Sequence, residues 1–294
     1  MQDICVFDFD GSVRSQSGLM QQYCDRIKVI DMHKHQHAAR LWTSPRRFEH
    51  IRQEAFSGKQ PFFSLLGSGD YHHFSLALIN EHTEPLTVVL FDNHPDWMRP
   101  PHQYHCGTWV YQLARLPQVK RIVIVGLESG DINGKHFAAG DVESHANGKI
   151  ALLPFRAVEA MIPGRGNVSL SSKLEQDLSA GIAEILSAIS TDNVYVSVDK
   201  DCLRSEDACT NWEQGTLPLV VVIKCIEAIR GKHHVIGADT VGDYSQPKFW
   251  SPLKWIGSML DRPANALRFR PTAAALRLNE VANIQLLQAL DGNT

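Results

Sequence analysis

Two apolar runs in this chain break off directly into clusters of acid. Leu86-Thr87-Val88-Val89-Leu90-Phe91 leads into Asp92-Asn93-His94-Pro95-Asp96, and Val194-Tyr195-Val196-Ser197-Val198 leads into Asp199-Lys200-Asp201. Continuous apolar runs of this length read as strands buried on both faces, as in parallel sheets covered by helices. Side chains alternate faces along a strand. If strand geometry persists, Asp92, His94 and Asp96 share one face, and Asp199 and Asp201 share another. Asp is a common turn residue at a strand end. Yet carboxylates packed this closely repel one another, and two such clusters suit a pair of cations bridged by carboxylates.

The rest of the chain alternates in the same way. Strands are expected at 4–9, 26–31, 61–66, 86–92, 120–127, 149–154, 193–199 and 233–239. Ser44-Pro45 opens a helix through about Ala55, with proline in the first turn. Leu174, Leu178, Ile182, Ile185 and Leu186 recur at helical spacing between Ser172 and Ile189. Leu217-Pro218 starts another helix through Arg230, and Ala273 to Leu290 reads as a closing one. The stretches 130–148 and 161–168 read as loops. The expected fold is a three-layer α/β/α domain over 1–294 with a mostly parallel sheet, whose ligands collect at the carboxyl ends of its strands.

A third segment lies in the right place to join the acids. Phe62-Phe63-Ser64-Leu65-Leu66 runs into Gly67-Ser68-Gly69-Asp70-Tyr71-His72-His73, followed by the helix-like Phe74 to Ile79. The ordered triple of Gly-rich Asp-His turn, Asp-x-His-x-Asp and Asp-x-Asp resembles the arginase-like ureohydrolase superfamily, over roughly Phe62 to Asp243. The resemblance implies two divalent ions, manganese by expectation, held by Asp92, His94, Asp96, Asp199 and Asp201. The remaining ligand is His72 or His73, because Tyr71 intervenes where the family has His; Phe74 and Leu76 as buried positions favour His72. It implies hydrolysis of a linear amidino, guanidino or amide C–N bond by a metal-bridged hydroxide, with His105 as proton shuttle. An imidazole suits that task near neutrality; His102 is the competing match. Gly215-Thr216-Leu217-Pro218 is a near match to the family's Gly-Thr-Pro loop.

One position departs. On the late strand Asp239 fits the family's Asp, but Gly242 stands where arginases and agmatinases carry the Glu that pairs with guanidinium. Asp239 and Asp243 remain the substrate-binding candidates, and plain arginase or agmatinase activity is not expected. Two alternatives are a catalytically lapsed metal-binding protein and a haloacid-dehalogenase-like phosphohydrolase. The second rests on Asp8-Phe9-Asp10-Gly11-Ser12, with Asp239 and Asp243 imitating that family's last motif. It leaves all three metal segments unexplained.

Composition enters as a set of exclusions. A formal charge of −3 provides no electrostatic case for nucleic acid, and no apolar stretch approaches the ~20 residues of a bilayer span. The six cysteines include no CxxC pair, so a reducing, cytoplasmic setting is expected. A small-molecule substrate and a homo-oligomeric assembly complete the expectation.

Overall fold

The computed structural model describes residues 3–58, 61–100, 103–162, 166–262 and 270–292. The eight expected strands all form, and they pair in one sheet. They are β1 Ile4–Asp8, β2 Ile27–Asp31, β3 Phe63–Gly67, β4 Leu86–Phe91, β5 Val119–Val125, β6 Ile150–Leu153, β7 Asn193–Asp199 and β8 His234–Val241. Their order is β2-β1-β3-β8-β7-β4-β5-β6, and every pairing is parallel.

Period-two alternation sorts the strand residues into two cores. Ile4, Val6, Val89, Phe91, Val196 and Val198 face one side, where Leu19, Ile185, Val222, Ile226 and Leu286 of the flanking helices meet them. Cys5, Phe7, Val88, Leu90, Ile122 and Ile124 face the other, against Phe48, Ile51, Leu76 and Trp109. Both faces are therefore covered, which is why the central strands read as unbroken apolar runs. Among the described residues no helix is long and apolar enough to cross a membrane.

Helix ends shift where capping decides them. The helix expected from Ser172 begins at Leu178, because Asp177 accepts from Ala180 N at 3.0 Å and sets the first turn there. The helices Leu219–Lys232 and Ala273–Asp291 lie close to expectation. The helix from Pro45 ends at Ile51 and continues as a wider turn, Arg52–Phe56. Two loop expectations are corrected. Val158–Ile162 and Gly166–Leu170 form an antiparallel ladder, with residues 163–165 outside the described set. The stretch 130–148 holds two short helices, Gly134–Ala139 and Val142–Ala146. Short elements like these carry too few residues to show a period.

Candidate metal centre

Sheet register brings the two acidic clusters together. β7 pairs with β4 from Asn193↔Leu86 to Val198↔Phe91, so the next residues along are Asp199 and Asp92. Neighbouring strands run about 4.8 Å apart, which sets the two carboxylates side by side. Strand geometry does not persist beyond them. Asp96 sits at φ 48, in the left-handed region that a non-glycine residue rarely enters. The curl is held by His94 N donating to Asp92 Oδ1 at 2.7 Å and by Trp109 Nε1 donating to Asp96 Oδ2 at 2.8 Å. Past β7 the chain turns through Lys200–Cys202, with Asp201 N donating to Asp199 Oδ1 at 3.0 Å. Turns rather than strands aim these side chains inward.

His72 enters from the 3-10 turn Gly69–Phe74. Its Nδ1 lies 3.2 Å from Asp96 Oδ2, 3.3 Å from Asp199 Oδ2 and 3.4 Å from Asp92 Oδ2. On the opposite ring edge, Nε2 is 3.1 Å from Ser197 Oγ, which donates to Asp239 Oδ1 at 2.8 Å. Asp239 also accepts from Tyr195 Oη at 2.8 Å and Ser75 Oγ at 2.9 Å. With Nε2–H donating to Ser197, Nδ1 is the ring atom that faces the carboxylates, the orientation a metal ligand needs once a cation displaces its proton. His94 Nδ1 lies 2.9 Å from Asp201 Oδ2 and 3.8 Å from Asp92 Oδ1. Two groups result, His72–Asp92–Asp199 and Asp92–His94–Asp201, with the ligand atoms of each within 4.8 Å of one another. Asp92 belongs to both.

Electrostatics mark this cluster as short of positive charge. Two unit charges about 4 Å apart interact by roughly 4 kcal/mol at an effective dielectric of about 20. Burial pushes the Asp92 carboxyl well up, and Asp96, Asp201 and Asp199 push it further. Asp201 is raised to about 6 by burial and by Asp199. Burial works against a charged His72, but Asp199 and Asp96 outweigh it and raise the imidazole to about 10. His94 rises to about 10 in the same way, through Asp201. Asp92 Oδ2 and His72 Nδ1 are buried and make no hydrogen bond. Carboxylate oxygens and imidazole nitrogens in this arrangement fit hard or borderline divalent cations.

The cluster forms the floor of a cavity of about 610 Å³, walled by Trp42, His105, Cys106, Trp212, Leu260 and Asp261. His105 pairs with Trp42 in a two-residue ladder and stacks on its ring, centroids 5.8 Å apart. His105 Nδ1 accepts from Gly107 N at 2.9 Å, so the neutral ring carries its proton on Nε2. That nitrogen is 3.7 Å from Asp261 Oδ2. Burial lowers His105 to about 4, and Asp70 offsets only part of this. Cys106 is buried with its thiol pushed well up, so it is not a ready nucleophile. His102 lies outside the described residues.

Other sequence candidates are placed elsewhere. His73 packs against Phe48 and Phe74, and both its ring nitrogens lack hydrogen bonds; it stands in neither metal group. Asp239 and Asp243, read as substrate contacts, do not line the cavity. Asp239 lies behind His72, and Asp243 accepts from Lys200 Nζ at 3.1 Å and Gln16 Nε2 at 2.7 Å. Gly242 has φ 88, and a Cβ there would lie 2.5 Å from Asp199 Oδ1 and 2.7 Å from Lys200 N. A glutamate has no room at that position. Asp10 lines a separate cleft with Ser12, Gln16 and Asp243, away from the metal groups. Trp97 and Trp109 are fully buried, whereas Trp250 is exposed.

Sequence reading missed the partners behind these residues. Ser197, a polar residue two places before Asp199 on an apolar strand, was the readable signal. Asp70 was not readable as a hub: Arg40 Nε donates to it at 2.6 Å and Trp212 Nε1 at 3.1 Å, while Arg262 pairs with the other side, all in the interior. The Gly-Thr loop is tied down by Gly215 N donating to Asp201 O at 2.7 Å and by Thr216 Oγ1 donating to Glu128 Oε1 at 2.8 Å.

Known structures share this architecture. The agmatine ureohydrolase of Thermoplasma volcanium superposes with a TM-score of 0.57 at 13% identity, covering 98% of this chain and 90% of that one. The arginase of Bacillus caldovelox matches with a TM-score of 0.57 at 15% identity, over 100% and 99%. The formimidoylglutamase of Bacillus subtilis matches with a TM-score of 0.57 at 16% identity, over 98% and 86%. The chain therefore has the arginase-like α/β fold. No protein-family model matches it. By sequence, an uncharacterized protein of Thermotoga maritima is 23% identical over 188 residues, 64% of this chain and 60% of that protein. The match thus spans less than two thirds of the relative's length.

Proposed function

We propose that this chain is a ureohydrolase-type hydrolase that holds two divalent ions and cleaves a linear, non-peptide C–N bond. The observation that carries the reading is Asp92 Oδ2 facing His72 Nδ1 in the interior, each without a hydrogen bond, where Asp92 serves two ligand groups at once. His72, Asp92, Asp96 and Asp199 would hold one ion, and His94, Asp92 and Asp201 the other. Manganese suits this oxygen-rich set with one imidazole per ion. When bound, the ions supply Lewis acidity and lower the pKa of water.

The chain's own residues do the rest. Ser197 and Asp239 fix the His72 tautomer. Trp42 and Trp212 wall the cavity. His105 is neutral at pH 7 with Nδ1 held by Gly107 N–H, so its Nε2–H would serve the departing nitrogen as a hydrogen-bond donor. Guanidinium selection by a carboxylate at position 242 is sterically closed. Arginine and agmatine are accordingly poor substrates, because a site without the pairing group discriminates steeply.

Manganese-loaded protein screened against guanidino, amidino and amide compounds for released urea or ammonia tests this. Turnover of an amidino or amide compound is expected, with arginine and agmatine well below an ordinary rate of about 1 s⁻¹. Two bound equivalents with no turnover of any compound would overturn the catalytic reading and leave a metal-binding one. Fast arginine hydrolysis would overturn the substrate reading alone.

A further inference from the structure

The helix Pro252–Asp261 is turned inside out. Its buried positions are Lys254 and Ser258, and its outward positions are Leu253, Trp255, Ile256, Met259 and Leu260. A surface helix ordinarily does the reverse. With Trp250 just ahead of it, these six large apolar side chains are between 50% and 82% exposed.

The helix cannot roll to hide them. Lys254 Nζ shares its three N–H donors among four backbone oxygens, of His37 at 3.0 Å, Ala38 at 2.8 Å, Arg40 at 2.6 Å and Trp42 at 2.5 Å. That carbonyl cage calls for an ammonium, and it anchors the inner face. One turn on, Gly257 lies against Trp42, where a Cβ would come within 2.8 Å of the indole. The polar anchor and the close approach fix which side faces out.

At ~150–250 Å² for each large side chain, the exposed fractions add to on the order of 700 Å² of apolar surface. A monomer's largest apolar patch is typically about 300–600 Å². One side of a stable protein–protein interface buries about 800 Å², so this face is of the right size for one partner. It is also free of charge: within 250–262 the basic residues Lys254 and Arg262 are buried, and Asp261 alone stands at the end. A helix lying on a membrane has Lys or Arg along its polar rim, whereas the one basic residue within Pro252–Asp261, Lys254, is buried. A charge-free strip of Trp, Leu, Ile and Met has the make-up of an interface core, and it meets no like-charge repulsion from its own copy in a two-fold, self-complementary contact. We propose that a second copy of this chain covers the helix Pro252–Asp261, helix against helix, to make a homodimer. Because Leu260 and Asp261 also line the metal cavity, the partner copy stands at the cavity mouth.

Dimerisation here requires no catalysis, so its test is independent of the proposed activity. Sedimentation velocity from about 1 to 50 μM is expected to give twice the 32.9 kDa chain mass. The double variant Leu253→Glu/Ile256→Glu changes only exposed side chains. It is expected to run as a monomer at the same concentrations with unchanged circular dichroism. A wild-type chain that stays monomeric throughout would overturn the proposal, as would a dimer that survives the double variant. Flotation of monomeric wild type with phosphatidylserine vesicles would overturn it in favour of a membrane. If the double variant loses its circular dichroism, Trp250→Ser and Met259→Gln, each on wild type, are read instead. A weakened dimer then supports the proposal, and an unchanged one overturns it.

Discussion

Two acidic neighbourhoods occupy the carboxyl ends of the same sheet and differ in how their charge is balanced. Beyond β1 and β8, protein donors meet the acids. Asp243 accepts from Lys200, Gln16 and Asn283, and Asp10 from Ser12 Oγ and Ser245 Oγ, both at 2.6 Å. Asp8 accepts from Gly11 N at 2.8 Å, with the His33 ring at 3.7 Å and Arg14 at 3.8 Å from its other oxygen. Beyond β4 and β7, Asp92, Asp96, Asp199 and Asp201 accept from backbone N–H groups and from Trp109, but among the described residues the cationic side chains they pair with are only the imidazoles of His72 and His94. Lys200 lies between two of these acids in sequence, yet its ammonium points away, to Asp243, Thr240 and Asn283. One acidic centre is neutralised by the fold's own lysine, and the other is a set of groups that could hold cations. Buried charge without a partner is costly, so the second is where a ligand gains most.

The largest effect should come from removing acids at the unbalanced centre. Wild-type protein equilibrated with manganese is expected to hold about two equivalents per chain. Asp92→Ala/Asp199→Ala should retain almost none, and any hydrolysis should disappear with the metal. The apo double variant should still fold, since each substitution relieves carboxylate repulsion. Elemental analysis showing wild-type occupancy in the variant would erase the distinction between the two neighbourhoods.

Next in size is His105→Asn. Loss of a positioned proton-transfer group typically costs about 10²–10⁴-fold in rate, and metal content should not change, since His105 stands in neither metal group. The same variant has a stability signature. His105 has a pKa of about 4 in the folded chain against an ordinary value of 6.5. The folded state therefore binds fewer protons between those values. The contribution is fully present above pH 6.5 and is lost as pH falls through about 4. The fall in apo-protein Tm from pH 7 to 4.5 should be smaller in His105→Asn than in wild type. Equal falls would show that the imidazole is not the group protonating.

What the sequence disclosed follows the same division. The eight strands were legible because burial on both faces leaves apolar runs, and the clustering of the acids was legible because chain neighbours stay neighbours in a turn. Asp239 and Asp243 do not line the cavity: Asp239, inside β8, is taken up by Ser75, Tyr195 and Ser197, and β8 ends at Val241 and turns at Gly242, sending Asp243 to Lys200. Lys200 sits between two candidate ligands in sequence, and its ammonium belongs to the other neighbourhood. The helix Pro252–Asp261 escaped notice because its apolar residues face solvent, so its pattern promises a core that is not there.

A smaller effect tests the support behind the ligands. Ser197→Ala removes the group between His72 Nε2 and Asp239. Such partners typically contribute about 10–100-fold in metal affinity. Calorimetric titration of apo protein with manganese should show one of two sites weakened by that factor, the one containing His72. Equal weakening of both would mean that Ser197 supports the sheet edge rather than the imidazole. No change in either would remove the Ser197–Asp239 pair from the centre altogether.

The smallest expected effect lies in the balanced neighbourhood, and it is the sharpest test of the contrast. Asp8→Asn keeps an oxygen for Gly11 N and removes only the charge. Burial already raises the Asp8 carboxyl, so the charged form is not strongly favoured there. Stability should change by no more than about 1 kcal/mol. Metal content and any hydrolysis should stay within about twofold of wild type, because Asp8 stands in neither metal group and does not line the metal cavity. A covalent phosphoryl or acyl adduct trapped on Asp8, with turnover lost in Asp8→Asn, would reverse the assignment. The self-neutralised acids would then be the catalytic ones, and the centre at β4 and β7 would hold its ions for structure.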